Sequence, residues 1–156
     1  SAGQSAIFNA VVEARRAEGL LHRPQAGEIA TIPSGAGFVV AAEDAADVQR
    51  RAAPGVLQAF ATGPLPGATM RSGDEASVAR EVAWSAATTI PWTVFARGRP
   101  LESPGERRPI IVPLRDAPVV TANEGHLRLH LVLPAGAYAS QALEQMGIVM
   151  PADRRG

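Results

Sequence analysis

The clearest structural signal in this chain is the stretch PVVTANEGHLRLHLVL, residues 118–133. In its second half, every other residue from Leu127 to Leu133 is a leucine. A period of two is typical of a β-strand with one buried face. Residues 118–122 are the natural antiparallel partner, because Asn123-Glu124-Gly125 can form the turn between them, with the glycine in the left-handed conformation. The pattern therefore predicts a β-hairpin.

Around this hairpin, the hydrophobic spacing predicts helices alternating with short strands. Short strands are predicted over Glu28–Ile32 and Gly37–Val40, joined by a turn at Pro33-Ser34-Gly35-Ala36. Helices are predicted over Gln4–Glu18, ending at Gly19, over Glu43–Ala53 on the surface, over Gly73–Ala87, and over Tyr138–Met146 after the hairpin. This mixture indicates the α+β class.

Other segments are rich in turn residues. Ala61–Gly67 has two glycines and two prolines in seven residues and is predicted to be an ordered loop or a break. Arg97–Arg108 is predicted to be a polar loop. Ile110–Leu114 is interrupted by Pro113, which favours an edge strand or an extended segment. In the helix predicted from Gly73, one side is expected to carry the apolar residues Ala76, Val78, Ala79, Val82 and Ala83.

Length and composition exclude several classes of protein. The chain has 156 residues, 46% of them hydrophobic and 19% charged, within the size range of one ordinary domain. It has no cysteine, so disulfides, thiolate nucleophiles and Cys-ligated metal sites are excluded. No apolar run approaches the roughly 20 residues that span a bilayer, and no signal peptide is recognisable. A cytoplasmic protein without a membrane partner is the expectation.

The charge is balanced overall but unevenly distributed. The chain has fifteen basic residues, all arginine, and fifteen acidic residues. The resulting net charge of zero does not favour nucleic-acid binding. Residues 1–90 carry seven arginines and nine acids, whereas residues 91–156 carry eight and six. Within Arg97–Arg115 there are five arginines and two glutamates. A solvated loop and a phosphate-binding segment both fit this cluster, and Arg107-Arg108 could form a compact phosphate fork.

Other candidate chemistry is weak. His126 and His130 lie about 13 Å apart along one strand, too far for one metal ion, so surface histidines are favoured, as for His22. Gly35-Ala36-Gly37 lacks the third glycine of a dinucleotide motif, and no Ser–His–acid arrangement can be assigned. Tyr138, the single tyrosine, stands where the predicted strand meets a helix. It fits either a half-buried aromatic at a helix start or a platform for base stacking.

Four motifs in order resemble one known family. They are SA-QSAIFN over residues 1–9, ATGPLPG at 61–67, GERRP at 105–109 and LRLHLVLPAGAYAS at 127–140. Together they resemble the TruD family of tRNA pseudouridine synthases, from residue 1 to about Met146. The resemblance implies that residues 1–115 form most of the family's insertion domain. It also implies that 116–150 form the last hairpin and helix of the catalytic domain, with 151–156 as a tail.

The resemblance implies a function that needs a second segment of the same polypeptide, N-terminal to this chain. Family members convert a tRNA uridine, at position 13 in bacterial substrates, to pseudouridine by detaching the base from C1′ and reattaching it through C5. They use a catalytic aspartate and no metal or organic cofactor. That aspartate lies in an upstream KDR-type motif, and a second upstream motif of the NxFGxQRFG type lines the pocket. Neither motif occurs here, so no catalytic residue is assigned. The implied partners are tRNA and the N-terminal half of the same polypeptide.

The resemblance also implies substrate-binding residues. Tyr138 matches the aromatic of an LPAGSYAT-type motif and would stack on a flipped base, while Gly136 would let the backbone approach closely. Arg107 and Arg108 match a basic pair, for which phosphate contact is inferred. The chain departs from the family at Glu144-Gln145-Met146, where an Arg-Glu-Leu is usual. Two alternatives remain open: a non-catalytic RNA-binding module that has lost the active site, and an unrelated α+β structural domain.

Overall fold

The computed structural model describes residues 1–114, 116–133, 137 and 139–148. The chain forms two compact units, Ser1–Ile111 and Val112–Gly156. The domain boundary between 115 and 116 that the resemblance implies stays a prediction. Both units contain helices and strands, so the predicted α+β class is confirmed.

The first unit is built on a four-stranded antiparallel sheet of order β2-β1-β3-β4. Its strands are β1 (Ile29–Thr31), β2 (Gly37–Val39), β3 (Phe60–Leu65) and β4 (Glu106–Pro109). Its helices are α1 (Ala2–Ala17), α2 (Ala45–Ala52) and α3 (Glu75–Ser85), with 3₁₀ turns at Ala86–Thr88 and Trp92–Phe95. The hairpin of β1 and β2 and all three helices lie where hydrophobic spacing predicted them.

Helix α1 begins two residues earlier than predicted because its first turn is capped. The backbone N–H of Gln4 donates to the Ser1 hydroxyl, and the amino group of Ser1 donates to the Gln4 side chain, a capping box. Gly19, at φ +71°, follows its end, as expected for a helix that stops in the left-handed conformation. Ile7 and Val11 are fully buried beneath the helix.

The predicted loop at 61–67 is wrong, because its residues form most of β3, which lies inside the sheet and is buried along its length. The ladder accommodates its proline. The Ile110 N–H donates to the Ala61 carbonyl, so Ala61 and Ile110 form a hydrogen-bonded pair between the two strands. In an antiparallel ladder, hydrogen-bonded and non-hydrogen-bonded pairs alternate along the strands. Pro64 therefore opposes Arg107 at a position where no ladder donor is needed.

The polar loop predicted over Arg97–Arg108 is confirmed as far as Gly105, but its last three residues form the start of a strand. Ile110–Leu114, predicted to be an edge strand or an extended segment, is not part of a strand. The actual edge strand, β4, spans Glu106–Pro109, and residues 110–114 form no regular element. The apolar composition of residues 110–114 had suggested that the edge strand lies there. The strand instead forms where pairing with β3 is available and where Arg107 can bury its guanidinium.

Helix α3 buries a polar face. Its buried residues are Ser77, Glu81 and Ser85, whereas Val82, on the side predicted to be apolar and buried, is 45% exposed. The Ser77 hydroxyl donates to the Gly27 carbonyl, and Glu81 binds an arginine of β4. Hydrogen-bonded polar groups therefore replace an apolar contact beneath this helix.

Helix α2 was predicted to be a surface helix, but it also contributes to the core. Its Val48 and Ala52 pack with Ala30, Val40 and Ala59 in one buried cluster. The small residues allow the helix to approach the sheet closely. This cluster consists of alanine and valine side chains. Larger buried hydrophobic side chains of the unit are Ile7, Ile29, Phe60, Leu65 and Phe95.

The second unit contains the predicted hairpin. Strands β5 (Val119–Asn123) and β6 (His126–His130) pair antiparallel, and Glu124 and Gly125 turn at φ +42° and +82°. Helix α4 spans Ala139–Gln145. The strand ends at His130 rather than at Leu133. Its predicted apolar face is open at Leu127, which is 78% exposed, whereas Leu129 is half-buried. Among the described residues, no helix is long and apolar enough to cross a membrane.

Candidate functional site

Arg107 is held by a buried set of hydrogen bonds. Its Nη1 and Nη2 donate to the two carboxylate oxygens of Glu81 at 2.9 and 2.5 Å. Its Nε donates to the Thr62 hydroxyl at 3.0 Å, and Nη2 also donates to the Thr62 carbonyl at 3.0 Å. The side chains of Arg107 and Glu81 are only 8% and 3% exposed. The planar guanidinium is matched to a bidentate carboxylate, the arrangement that favours arginine over lysine.

This arrangement continues across the sheet. The Thr62 hydroxyl accepts from Arg107 and donates to the Ile29 carbonyl at 2.5 Å. A chain of polar contacts therefore joins α3, β4, β3 and β1. Within the described residues, Arg107 fixes the edge strand to the rest of the unit.

Arg108 has a different environment. Consecutive residues of a strand project to opposite faces, so the two arginines do not form a single fork. The Arg108 guanidinium lies 5.6 Å from the centre of the Phe8 ring, a cation–π distance. Its Nη2 is 3.7 Å from a carboxylate oxygen of Glu106, and the side chain is 27% exposed. Arg108 is therefore oriented by an aromatic ring while part of its charge stays accessible to solvent.

The other two predicted site residues, Gly136 and Tyr138, lie outside the described residues. Their roles stay predictions. The hairpin that leads to them is described up to Leu133, and α4 follows from Ala139.

A second buried charge cluster, not predicted from the sequence, surrounds Glu28. One carboxylate oxygen of Glu28 accepts from Arg15 Nη1 and from Arg80 Nη2, both at 2.8 Å. Its other oxygen accepts from the backbone N–H of Gln25. Arg15 is fully buried and Glu28 is 3% exposed. The spacing of Ile7, Val11 and Arg15 on the buried side of α1 was the available signal, because it places an arginine where an apolar residue is expected.

Trp84 completes this cluster. The guanidinium carbons of Arg15 and Arg80 lie 5.4 and 5.5 Å from its ring centre. Its indole N–H donates to a Glu18 carboxylate oxygen at 2.7 Å. The Nε atoms of both arginines are buried without a hydrogen-bond partner, and the electron-rich ring face offsets part of that cost. The cluster ties α1 to α3 and to the start of β1.

All three histidines lie among the described residues. His22 Nδ1 lies 3.1 Å from the Ala52 carbonyl. His126 and His130, at the two ends of β6, are both exposed. Within the part of the chain that the structure describes, no three His, Cys, Asp or Glu residues are grouped to hold a metal ion.

Three comparisons with known proteins agree. The family model of tRNA pseudouridine synthase D (TruD) matches residues 1–146. A tRNA pseudouridine synthase D of Geobacter metallireducens is 34% identical over 146 residues, covering 94% of this chain and 35% of that protein. Its namesake from Geobacter sulfurreducens is 34% identical over 151 residues, covering 94% of this chain and 34% of that protein.

The fold has a counterpart among solved structures. A crystal structure from Methanosarcina mazei, described as a tRNA pseudouridine synthase D, matches with a TM-score of 0.70 at 22% identity. The match covers 91% of this chain and 36% of the other. At that identity the likeness concerns the fold alone.

These matches place the chain among the pseudouridine synthases, a class of isomerases. Within that class, it belongs to the TruD family. The chain spans about a third of the length of the two curated relatives.

Proposed function

We propose that this chain is the C-terminal portion of a cytoplasmic tRNA pseudouridine synthase of the TruD type. In this proposal, residues 1–115 are most of the insertion domain, residues 116–150 are the last hairpin and helix of the catalytic domain, and 151–156 are a tail. The observation that carries the proposal is the family match over residues 1–146, combined with coverage of only 35% of a relative's length.

The open face of the hairpin supports an incomplete catalytic domain. Val120 and Leu127, which share one face, are 59% and 78% exposed, and Val119 on the opposite face is 54% exposed. A two-stranded hairpin is marginally stable alone, and clustered exposed apolar side chains mark surfaces that another element covers. We propose that strands from an N-terminal portion of the same polypeptide pair with this hairpin and bring the catalytic aspartate.

The proposed reaction is an isomerisation of a uridine in tRNA, at position 13 by analogy with the bacterial family members. The N1–C1′ bond breaks, the base turns, and C5 bonds to C1′. The proton of C5 is lost and N1 ends protonated, so atoms and charge balance without a cofactor. The catalytic aspartate would come from outside this chain, and no residue here is assigned a catalytic role.

This chain would contribute to substrate binding. Stacking of the target base on Tyr138 would supply about 1–3 kcal/mol, and Gly136 would allow the backbone to approach the base. Arg108, oriented by Phe8 and partly exposed, would contact a phosphate. Arg107, which matches the same family pair, would act by holding β4 in place through Glu81.

A complementation assay tests the proposal. The 156-residue chain alone should form no pseudouridine in a tRNA transcript. Adding the polypeptide encoded immediately upstream should restore the reaction, and that upstream sequence should contain a KDR-type aspartate. A start codon at this boundary, with no such segment upstream, would refute the proposal. Tight tRNA binding without any restored activity would instead favour a non-catalytic RNA-binding module.

A further inference from the structure

Three of the four sequence motifs meet at one contact on the first unit. Phe8 comes from the first motif, Gly63 from the second and Arg108 from the third. Gly63 pairs with Arg108 across β3 and β4, and the guanidinium carbon of Arg108 lies 5.6 Å from the centre of the Phe8 ring. We refer to this arrangement as the Phe8–Gly63–Arg108 contact.

Gly63 makes room for the aromatic ring. A Cβ at position 63 would lie 2.8 Å from two carbons of the Phe8 ring, so the ring occupies the space that a side chain there would fill. The neighbouring Ile7 is fully buried, whereas Phe8 is only half-buried. The ring therefore lies outside the fully buried core, where it supports an arginine that is itself partly open to solvent.

The Arg108 guanidinium is oriented, but its hydrogen-bond donors are unused. Within the described part of the chain it donates no hydrogen bond, whereas the guanidinium of Arg107 donates four. A cation–π contact orients the charged plane without engaging its N–H groups. Arg108 is therefore preorganised for an acceptor that is not part of the described chain, which lowers the entropy lost when that acceptor binds.

Glu106 is the carboxylate that pairs with Arg108. The two residues project from the same face of β4, because they are two positions apart. Their closest nitrogen and oxygen atoms are 3.7 Å apart, too far for a hydrogen bond, and the Glu106 side chain is 64% exposed. An exposed pair of this kind contributes little to stability, so its carboxylate competes only weakly with another anion.

We propose that Phe8 is a positioning residue for the proposed reaction. Packed on Gly63, its ring holds the Arg108 guanidinium in the orientation that meets a phosphate of the substrate, and Glu106 opposes that contact as a competing internal anion. The inference rests on the proposed function, which supplies the phosphate. It gives Phe8 and Glu106 roles that act only through Arg108.

The experiment measures kcat and KM for pseudouridine formation in a tRNA transcript by the enzyme complemented with the upstream polypeptide. We expect Phe8→Leu to raise KM roughly two- to fivefold, the size of a partly exposed cation–π contact, without changing kcat. Phe8→Tyr keeps the ring and should keep the KM. Glu106→Gln removes the competing charge and should lower KM roughly twofold.

A double-mutant cycle separates positioning from simple packing of α1 on the sheet. In an Arg108→Ala background, Phe8→Leu should have no further effect on KM, because the guanidinium through which it acts is absent. Phe38→Leu is the matched control. Phe38 is also half-buried in the first unit, but it packs against the alanine and valine cluster, so its substitution should leave KM unchanged. Thermal unfolding of each variant measures losses of stability separately.

Several results would overturn the inference. Equal KM effects of Phe8→Leu with and without Arg108 would show that the ring acts through the fold alone, and so would an equal effect of Phe38→Leu. A rise in KM for Glu106→Gln would mean that this carboxylate orients Arg108 rather than opposing it. If the complemented enzyme is active and the cycle is additive, the inference alone fails. If the complemented enzyme forms no pseudouridine, the proposed function fails and the inference fails with it.

Discussion

Substitution of Glu81 by glutamine should destabilise the first unit strongly. The carboxylate receives two hydrogen bonds from Arg107, and both side chains are more than nine-tenths buried. Removing the negative charge leaves a buried guanidinium without its counterion, which costs about 3–5 kcal/mol in comparable sites. Glutamine keeps one acceptor oxygen, so the expected loss is near 3 kcal/mol.

Urea unfolding followed by tryptophan fluorescence measures this loss. Both tryptophans of the chain, Trp84 and Trp92, lie in the first unit, so the signal reports that unit alone. With a urea slope of about 1.5 kcal/mol/M, the midpoint should fall by about 2 M. Glu106→Gln is the control, because Glu106 is 64% exposed and lies 3.7 Å from Arg108; it should change stability by less than about 0.5 kcal/mol.

The double variant Glu81→Gln with Arg107→Met tests the cause. If the penalty comes from the unpaired charge, the second substitution should recover part of the lost stability. A Glu81→Gln loss below about 1 kcal/mol would refute the reasoning, because it would mean that the guanidinium reaches water or another acceptor at little cost. A double variant as unstable as the sum of the single variants would do the same.

Three further predictions concern Gly63, Arg15 and Tyr138. Gly63→Ala should lower the free energy of unfolding, measured in urea, by about 1–3 kcal/mol, because the added Cβ would lie 2.8 Å from two Phe8 ring carbons. Arg15→Lys should lower the free energy of unfolding, measured by thermal unfolding, by about 2–4 kcal/mol. An ammonium cannot keep the contacts to Glu28, to two backbone carbonyls and to the indole ring together. A loss no larger than that of an exposed Arg→Lys change would contradict this prediction. In the complemented enzyme, Tyr138→Ala should reduce pseudouridine formation about 10- to 100-fold while Tyr138→Phe should not, and equal activity of the two would remove the stacking role.

The elements that the sequence predicted well are those whose signal is local. Both hairpins have a turn glycine between short apolar runs, and α1 has an apolar stripe that ends at Gly19. The central strand β3 could not be predicted this way, because Gly63 and Pro64 oppose strand propensity and only pairing with β4, more than 40 residues later, makes them acceptable.

Helix α3 illustrates why the candidate site was only partly predictable. Its buried face was misassigned because Glu81 looks like a surface residue until Arg107, 26 residues away, is placed beside it. The same pairing separates the environments of Arg107 and Arg108, which are equivalent in the sequence. Local patterns identify which residue types are available, whereas long-range pairing decides which of their charges remain accessible.

Pro109, at the end of β4, has a consequence for self-association. It opposes Thr62 at a non-hydrogen-bonded pair, so its nitrogen faces away from β3. β4 is the last strand of its sheet, and an ordinary residue there would offer a free N–H to a passing strand. Proline removes that donor, so edge-to-edge aggregation is disfavoured on this side of the sheet by the imino acid itself.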